Sequence, residues 1–153
     1  VSFGHDIEGS WLLCEAAEVL GDPELNNRIK DLALKMVDKT LEEGFSHKYM
    51  IYAHRDEHGH VSRNLEWWQQ AEAVVGLINA YQISNQVHYL EKAVKCWQVI
   101  EDKVVDNKFG EWYFGILPNG KPDQSKYKVS EWKGPYHNSR ACMEILKRLN
   151  IQY

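Results

Sequence analysis

Two histidines, His5 and His137, each stand at the start of a helix-like segment, beside aromatic residues and with a charged neighbour one turn on, Glu8 and Arg140. A third segment of this kind opens with Glu66-Trp67-Trp68-Gln69-Gln70-Ala71-Glu72, and His5, Trp68 and His137 lie 63 and 69 residues apart. Imidazoles titrate near neutrality, so a pair of them can give and take a proton in both directions of a reversible reaction. Glu8, at i+3 from His5, is a candidate to orient that ring. Arg140 is suited to stabilise an oxyanion that develops as a proton leaves carbon. Trp68 and Trp132 offer flat aromatic faces of the sort sugar rings stack on. Trp67 and Trp68 are adjacent and cannot face the same way on a helix, so one packs while the other lines a cavity. Singly, each residue has an ordinary structural explanation. Gathered at three helix starts, they are a set of parts for moving protons on a sugar.

Bringing them together requires elements that return repeatedly to one end of the molecule. Apolar spacing predicts a helix over residues 6 to about 20, with Asp6 as N-cap and Gly21-Asp22 as the break. Pro23 suits the first turn of a second, amphipathic helix that ends near Glu43-Gly44. Residues 48 to 63 change period: Tyr49 to Ala53 reads as a strand, Asp56 to Gly59 as a turn, His60 to Ser62 as the returning strand. A third helix, about Glu66 to Ile83, is apolar nearly all round and should be buried. Ser84-Asn85 ends it, and Tyr89, Leu90, Ala93, Val94, Trp97 and Ile100 mark an outer, amphipathic helix. Gly110 to Gly115 reads as β-like, Pro118 to Pro122 as a turn, and a last helix covers about Tyr136 to Leu149. Inner and outer helices thus alternate with a repeat of about sixty residues, the signature of an all-α array or α/α barrel with its loops at one end.

At 153 residues, with 44% hydrophobic and 26% charged content, there is material for one domain with a real core. A net charge of −4 with scattered Lys and Arg argues against a nucleic-acid surface. No apolar run reaches the roughly 20 residues of a membrane span. Cys14, Cys96 and Cys142 are odd in number and widely spaced, as expected of reduced, buried thiols, and a cytoplasmic setting is expected. His54, His58 and His60 sit among Arg55, Asp56 and Glu57 and read as a solvated loop, so no metal site is expected. Functional-looking residues within five positions of Val1 lead us to expect partner helices that precede this segment.

Three motifs also carry a resemblance. Gly4-His5-Asp6-Ile7-Glu8 with Trp11-Leu12-Leu13, the run from Trp67 to Gly76, and Trp132-Lys133-Gly134-Pro135-Tyr136-His137-Asn138-Ser139-Arg140-Ala141 resemble the cellobiose 2-epimerases of the N-acylglucosamine 2-epimerase superfamily. The resemblance implies an (α/α)6 barrel, with residues 1–153 as a single segment forming its C-terminal half and an N-terminal half as partner. It implies cofactor-free, reversible epimerisation at C2 of the reducing-end glucose of a β-1,4-linked disaccharide. It further implies that His5 and His137 are the acid/base pair, that Glu8 supports His5, and that Trp68 and Trp132 contact the sugar. We expect Glu72 and Arg140 at the sugar as well. Three rivals stand beside this reading. An aldose–ketose isomerase would return the proton to C1, and a glycoside hydrolase would use Glu8 and Glu72 as paired carboxylates. A non-catalytic sugar-binding module would leave the histidines without a role.

Overall fold

Among the described residues five α-helices carry the chain: α1 (Phe3–Leu20), α2 (Pro23–Gly44), α3 (Trp67–Ser84), α4 (Val87–Val99) and α5 (Tyr136–Arg148). Four two-residue strands lie in the connections of the same described residues: β1 (His54–Arg55), β2 (Val61–Ser62), β3 (Leu65–Glu66) and β4 (Gly115–Ile116). The computed structural model describes residues 1–47 and 49–150. Lys48, at the head of the expected hairpin, and residues 151–153, the end of the expected segment, lie outside the described residues.

α3 is the central helix. Every residue from Gln69 to Ala80 is buried, because α1, α2, α4 and α5 all pack on it, as its lack of a polar face required. α1 and α5 flank it as inner neighbours, while α2 and α4 lie outside. The α1–α3 contact is close at Gly76, where an added Cβ would stand 2.7 Å from Cγ1 and 3.0 Å from the carbonyl oxygen of Ile7. α2 begins as its sequence dictates: the Asp22 carboxylate accepts from the amides of Glu24 and Leu25 at 2.9 and 3.1 Å, with Pro23 in the first turn.

Three local expectations are corrected. α1 starts at Phe3, not Asp6, because the Phe3 ring is buried against Gly44 and draws the helix start back to a Ser2 N-cap. Tyr49 to Ala53 is not a strand. The Gln70 carboxamide takes up both backbone groups of Ile51, accepting from its N–H at 2.7 Å and donating to its carbonyl at 2.8 Å, so the hairpin pairs only β1 with β2. Gly110 to Gly115 is broken by Gly110 and Glu111 in the left-handed region, at φ 74° and 61°, leaving Trp112 in an isolated bridge to Val105 and Gly115 paired through β4 against β3. α4 also runs on into a π-helical turn at Ile100–Val104 before the chain leaves for that loop.

Cys14 and Cys96 are buried, Cys142 is half-buried, and all three are unpaired. Burial pushes the Cys96 thiol up to about 12, so it is inert as a nucleophile. Among the described residues no helix is long and apolar enough to cross a membrane.

The contact at Gly76 gives a direct check on this packing. Gly76→Ala should lower unfolding free energy by about 1–3 kcal/mol, since the Ile7 backbone has nowhere to retreat. Urea denaturation measures it, and an unchanged midpoint would contradict the close approach.

Candidate active site

The N-termini of α1, α3 and α5 meet, and their first turns bring the three aromatic rings of the motifs into contact. The ring centroids of His5 and Trp68 are 4.9 Å apart and those of Trp68 and His137 are 5.4 Å apart, so the two imidazoles flank one indole. Trp68 faces the cavity and Trp67 packs beneath it, 3% exposed and against Phe114. The Trp68 indole N–H donates to the Glu66 carboxylate at 3.0 Å, which fixes the plane of that wall. Together His5, Glu66, Trp67, Trp68, Phe114, Trp132 and His137 line a cavity of about 200 Å³.

Behind His137 lies a buried charge cluster. The Glu72 carboxylate is 0% exposed and is engaged by donors from two other helices. His137 Nδ1 stands 2.7 Å from Oε1, an Arg140 guanidinium nitrogen donates to the same oxygen at 2.6 Å, and the Trp11 indole N–H donates to Oε2 at 3.1 Å. Arg140 donates in addition to Glu8 and, at 2.6 Å, to the Tyr136 hydroxyl. Its guanidinium lies over the rings of Tyr136 and Trp11, 4.5 and 5.0 Å from their centroids. Donor atoms of Glu8, Glu72 and His137 fall within 4.8 Å of one another, spacing that would also suit a cation. Arg140 already lies on both carboxylates and supplies that positive charge itself.

The structure therefore sorts the expected site residues. His5, Trp68, Trp132 and His137 share one cavity. Glu72 and Arg140, expected against the sugar, stand behind His137 instead: Glu72 is sealed from solvent, and Arg140 is committed to two carboxylates. Glu8, expected to orient His5, pairs with Arg140 because the carboxylate on the next helical turn meets that guanidinium across the α1–α5 contact. His54, His58 and His60 lie on the exposed hairpin, where His60 pairs with Asp56 and its ring lies edge-on to that of His58, 6.3 Å between centroids.

Some contributors were not foreseen. Glu66 had a signal, since it stands three residues before Gln69 at a helix start, and the Gln69 side chain accepts from its amide. Lys133 had none. It reads as a solvated loop lysine but is 0% exposed, donating to Glu111 at 3.1 Å and to the Lys128 carbonyl at 2.8 Å, and lying over the Trp67 ring. Burial lowers its ammonium pKa, with Glu111 opposing. Lys133 thus pins the loop that holds Trp132, itself 85% exposed, at the cavity rim. The same loop is tied down by Lys128 on buried Asp106, which also accepts from the amides of Lys108 and Phe109.

The N-acylglucosamine 2-epimerase (GlcNAc 2-epimerase) family model matches residues 1–141, and the chain belongs to that family. It is 40% identical to the cellobiose 2-epimerase of Ruminococcus albus over 152 residues, covering 96% of this chain and 38% of that protein. With the cellobiose 2-epimerase of Bacteroides fragilis it shares 39% identity over 146 residues, covering 95% of this chain and 37% of that one. A crystal structure of a sugar epimerase from a ruminal bacterium superposes with a TM-score of 0.90 at 38% identity, over 96% of this chain and 38% of that one. The chain thus spans a little over a third of the relatives it matches, and its hairpins form the expected half of an (α/α)6 barrel.

The loop anchors make a pH prediction. The Lys128 ammonium, aided by two backbone amides, holds the Asp106 carboxyl well below the usual range. Its stabilising contribution is fully present above the ordinary carboxylate value of about 3.9 and is lost as pH falls through the folded-state value. Asp106→Asn should therefore melt below wild type at neutral pH. The two melting curves should converge as pH drops under about 4, and a gap that stayed constant would contradict the assignment.

Proposed function

We propose that the protein carrying this chain epimerises the reducing-end glucose of a β-1,4-linked disaccharide at C2. His5 and His137 act as the two proton-transfer groups, and the rest of the barrel completes the cavity. The observation that carries this reading is the pair of imidazoles flanking Trp68 in one cavity with Trp132 at its rim.

The chemistry follows from the substrate. C2–H of a closed pyranose is not acidic, but in the open aldehyde it lies α to the carbonyl. One imidazole removes that proton to leave an enediolate, and the other returns a proton to the opposite face of C2. Trp68 gives the sugar an aromatic face between the two bases. Glu72, held by Arg140 and Trp11, accepts from Nδ1–H of His137 and leaves Nε2 of that ring for the substrate. A hydrolase fits less well, because both carboxylates it would need, Glu8 and Glu72, are turned to Arg140. An isomerase would use the same enediolate and differ only in where the proton returns.

Proton NMR of the full-length protein with cellobiose in D2O separates these outcomes. A mannose-type reducing end with deuterium at C2 is expected. A ketose would move the protein to the isomerases with the same site, and free glucose would mean bond hydrolysis. Glu72→Gln should cut kcat by about 100-fold or more, because a carboxamide cannot accept from all three donors at once. A variant with wild-type kcat would remove Glu72 from the mechanism.

A further inference from the structure

Ser2 is the N-cap of α1, yet its side chain makes no bond to a helix amide. An N-cap serine ordinarily accepts from an amide of the first turn. Here the hydroxyl is turned aside, and Oγ stands 2.7 Å from Nδ1 of His5. The serine backbone is fixed from two sides. Its carbonyl accepts from the Asp6 amide at 2.9 Å, and the residue bridges to His54 in β1. Glu8, the carboxylate one turn on from His5, is occupied by Arg140. With Nδ1 engaged and the ring packed on Trp68, Nε2 is the nitrogen His5 has left for a substrate in the cavity it lines.

We propose that Ser2 is a positioning residue for His5, holding the imidazole by Nδ1 so that Nε2 exchanges the proton with substrate. This rests on the reading of His5 as one of the two proton-transfer groups. When His5 acts as acid it is an imidazolium: Nδ1–H donates to the serine oxygen while the Nε2 proton moves to carbon and the enediolate electron pair forms the new C–H bond. The ring is then neutral and still donates through Nδ1–H to the same oxygen. Its Nε2 lone pair is ready to take the C2 proton in the reverse direction. One hydrogen bond therefore serves both directions with no movement of the ring. The two imidazoles are held alike through Nδ1, His137 by a buried carboxylate and His5 by a hydroxyl.

Ser2→Ala removes this bond and Ser2→Thr keeps the hydroxyl. With cellobiose and the full-length protein, Ser2→Ala is expected to lower kcat roughly 10- to 100-fold with KM within about twofold of wild type. That is the range known for partners that orient functional histidines at metal sites. Ser2→Thr is expected to recover at least about a third of the wild-type kcat. Long-range nitrogen-15 NMR of the imidazoles should show His5 as the Nδ1–H tautomer when neutral, and a shift toward Nε2–H in Ser2→Ala. An unchanged kcat in Ser2→Ala, a loss confined to KM, or no recovery with Thr would overturn the proposal. His5→Ala separates the two claims. Wild-type turnover in that variant would remove the proton-transfer reading, while the tautomer shift in Ser2→Ala would still decide whether Ser2 holds the ring.

Discussion

Glu72 is a carboxylate with no exposure, placed where three helices converge, and its burial sets the terms for the rest of the site. Removing a charge from water costs several kcal/mol unless close partners replace the solvent. Here the replacements come from α1 through Trp11 and from α5 through His137 and Arg140. The inner helices are thus held at one end by the same group that orients a candidate acid/base residue. A shift of α5 by one position would strand both Glu72 and Arg140, so packing and chemistry constrain each other.

Around that cluster the site has a rigid floor and a tethered rim. The floor is the first turn of α3, where Trp67 packs on Phe114 and Glu66 fixes Trp68. The rim is the loop before α5, with Trp132 at its edge. It has almost no regular structure of its own and is shaped by buried ionic anchors, Lys133 on Glu111 and Lys128 on Asp106. Lysine suits such anchoring because its long stem can reach inward while the loop backbone stays at the surface.

Much of this was legible in the sequence. The nearly all-round apolar character of the helix from about Glu66 to Ile83 marked it as buried, and the alternation of inner and outer patterns marked stacked hairpins. The three helix starts named His5, Trp68 and His137, which line one cavity. Partner choice was less legible, because it depends on which side chains meet across helices. Glu8 is one turn from His5 along α1 but meets Arg140 across the α1–α5 contact, and nothing in local spacing ranks those options. Glu72 was expected at the sugar, and only the packing of α1 and α5 over α3 reveals its burial. The strand expected at Tyr49 to Ala53 failed for a similar reason. Its β-like composition is real, but Ile51 forms only an isolated bridge to Phe45, and a glutamine 19 residues away takes up the Ile51 backbone groups that a neighbouring strand would have paired.

The central claim is that two imidazoles divide the proton transfer between the two faces of C2. It is tested most directly by following C2-hydrogen exchange in D2O for His5→Asn and His137→Asn, starting separately from the glucose and the mannose form of the disaccharide. Each variant is predicted to lose net epimerisation yet still exchange the C2 hydrogen of one epimer, a different epimer for each variant. Epimerisation that survives in either variant, or exchange of the same epimer by both, would contradict the account.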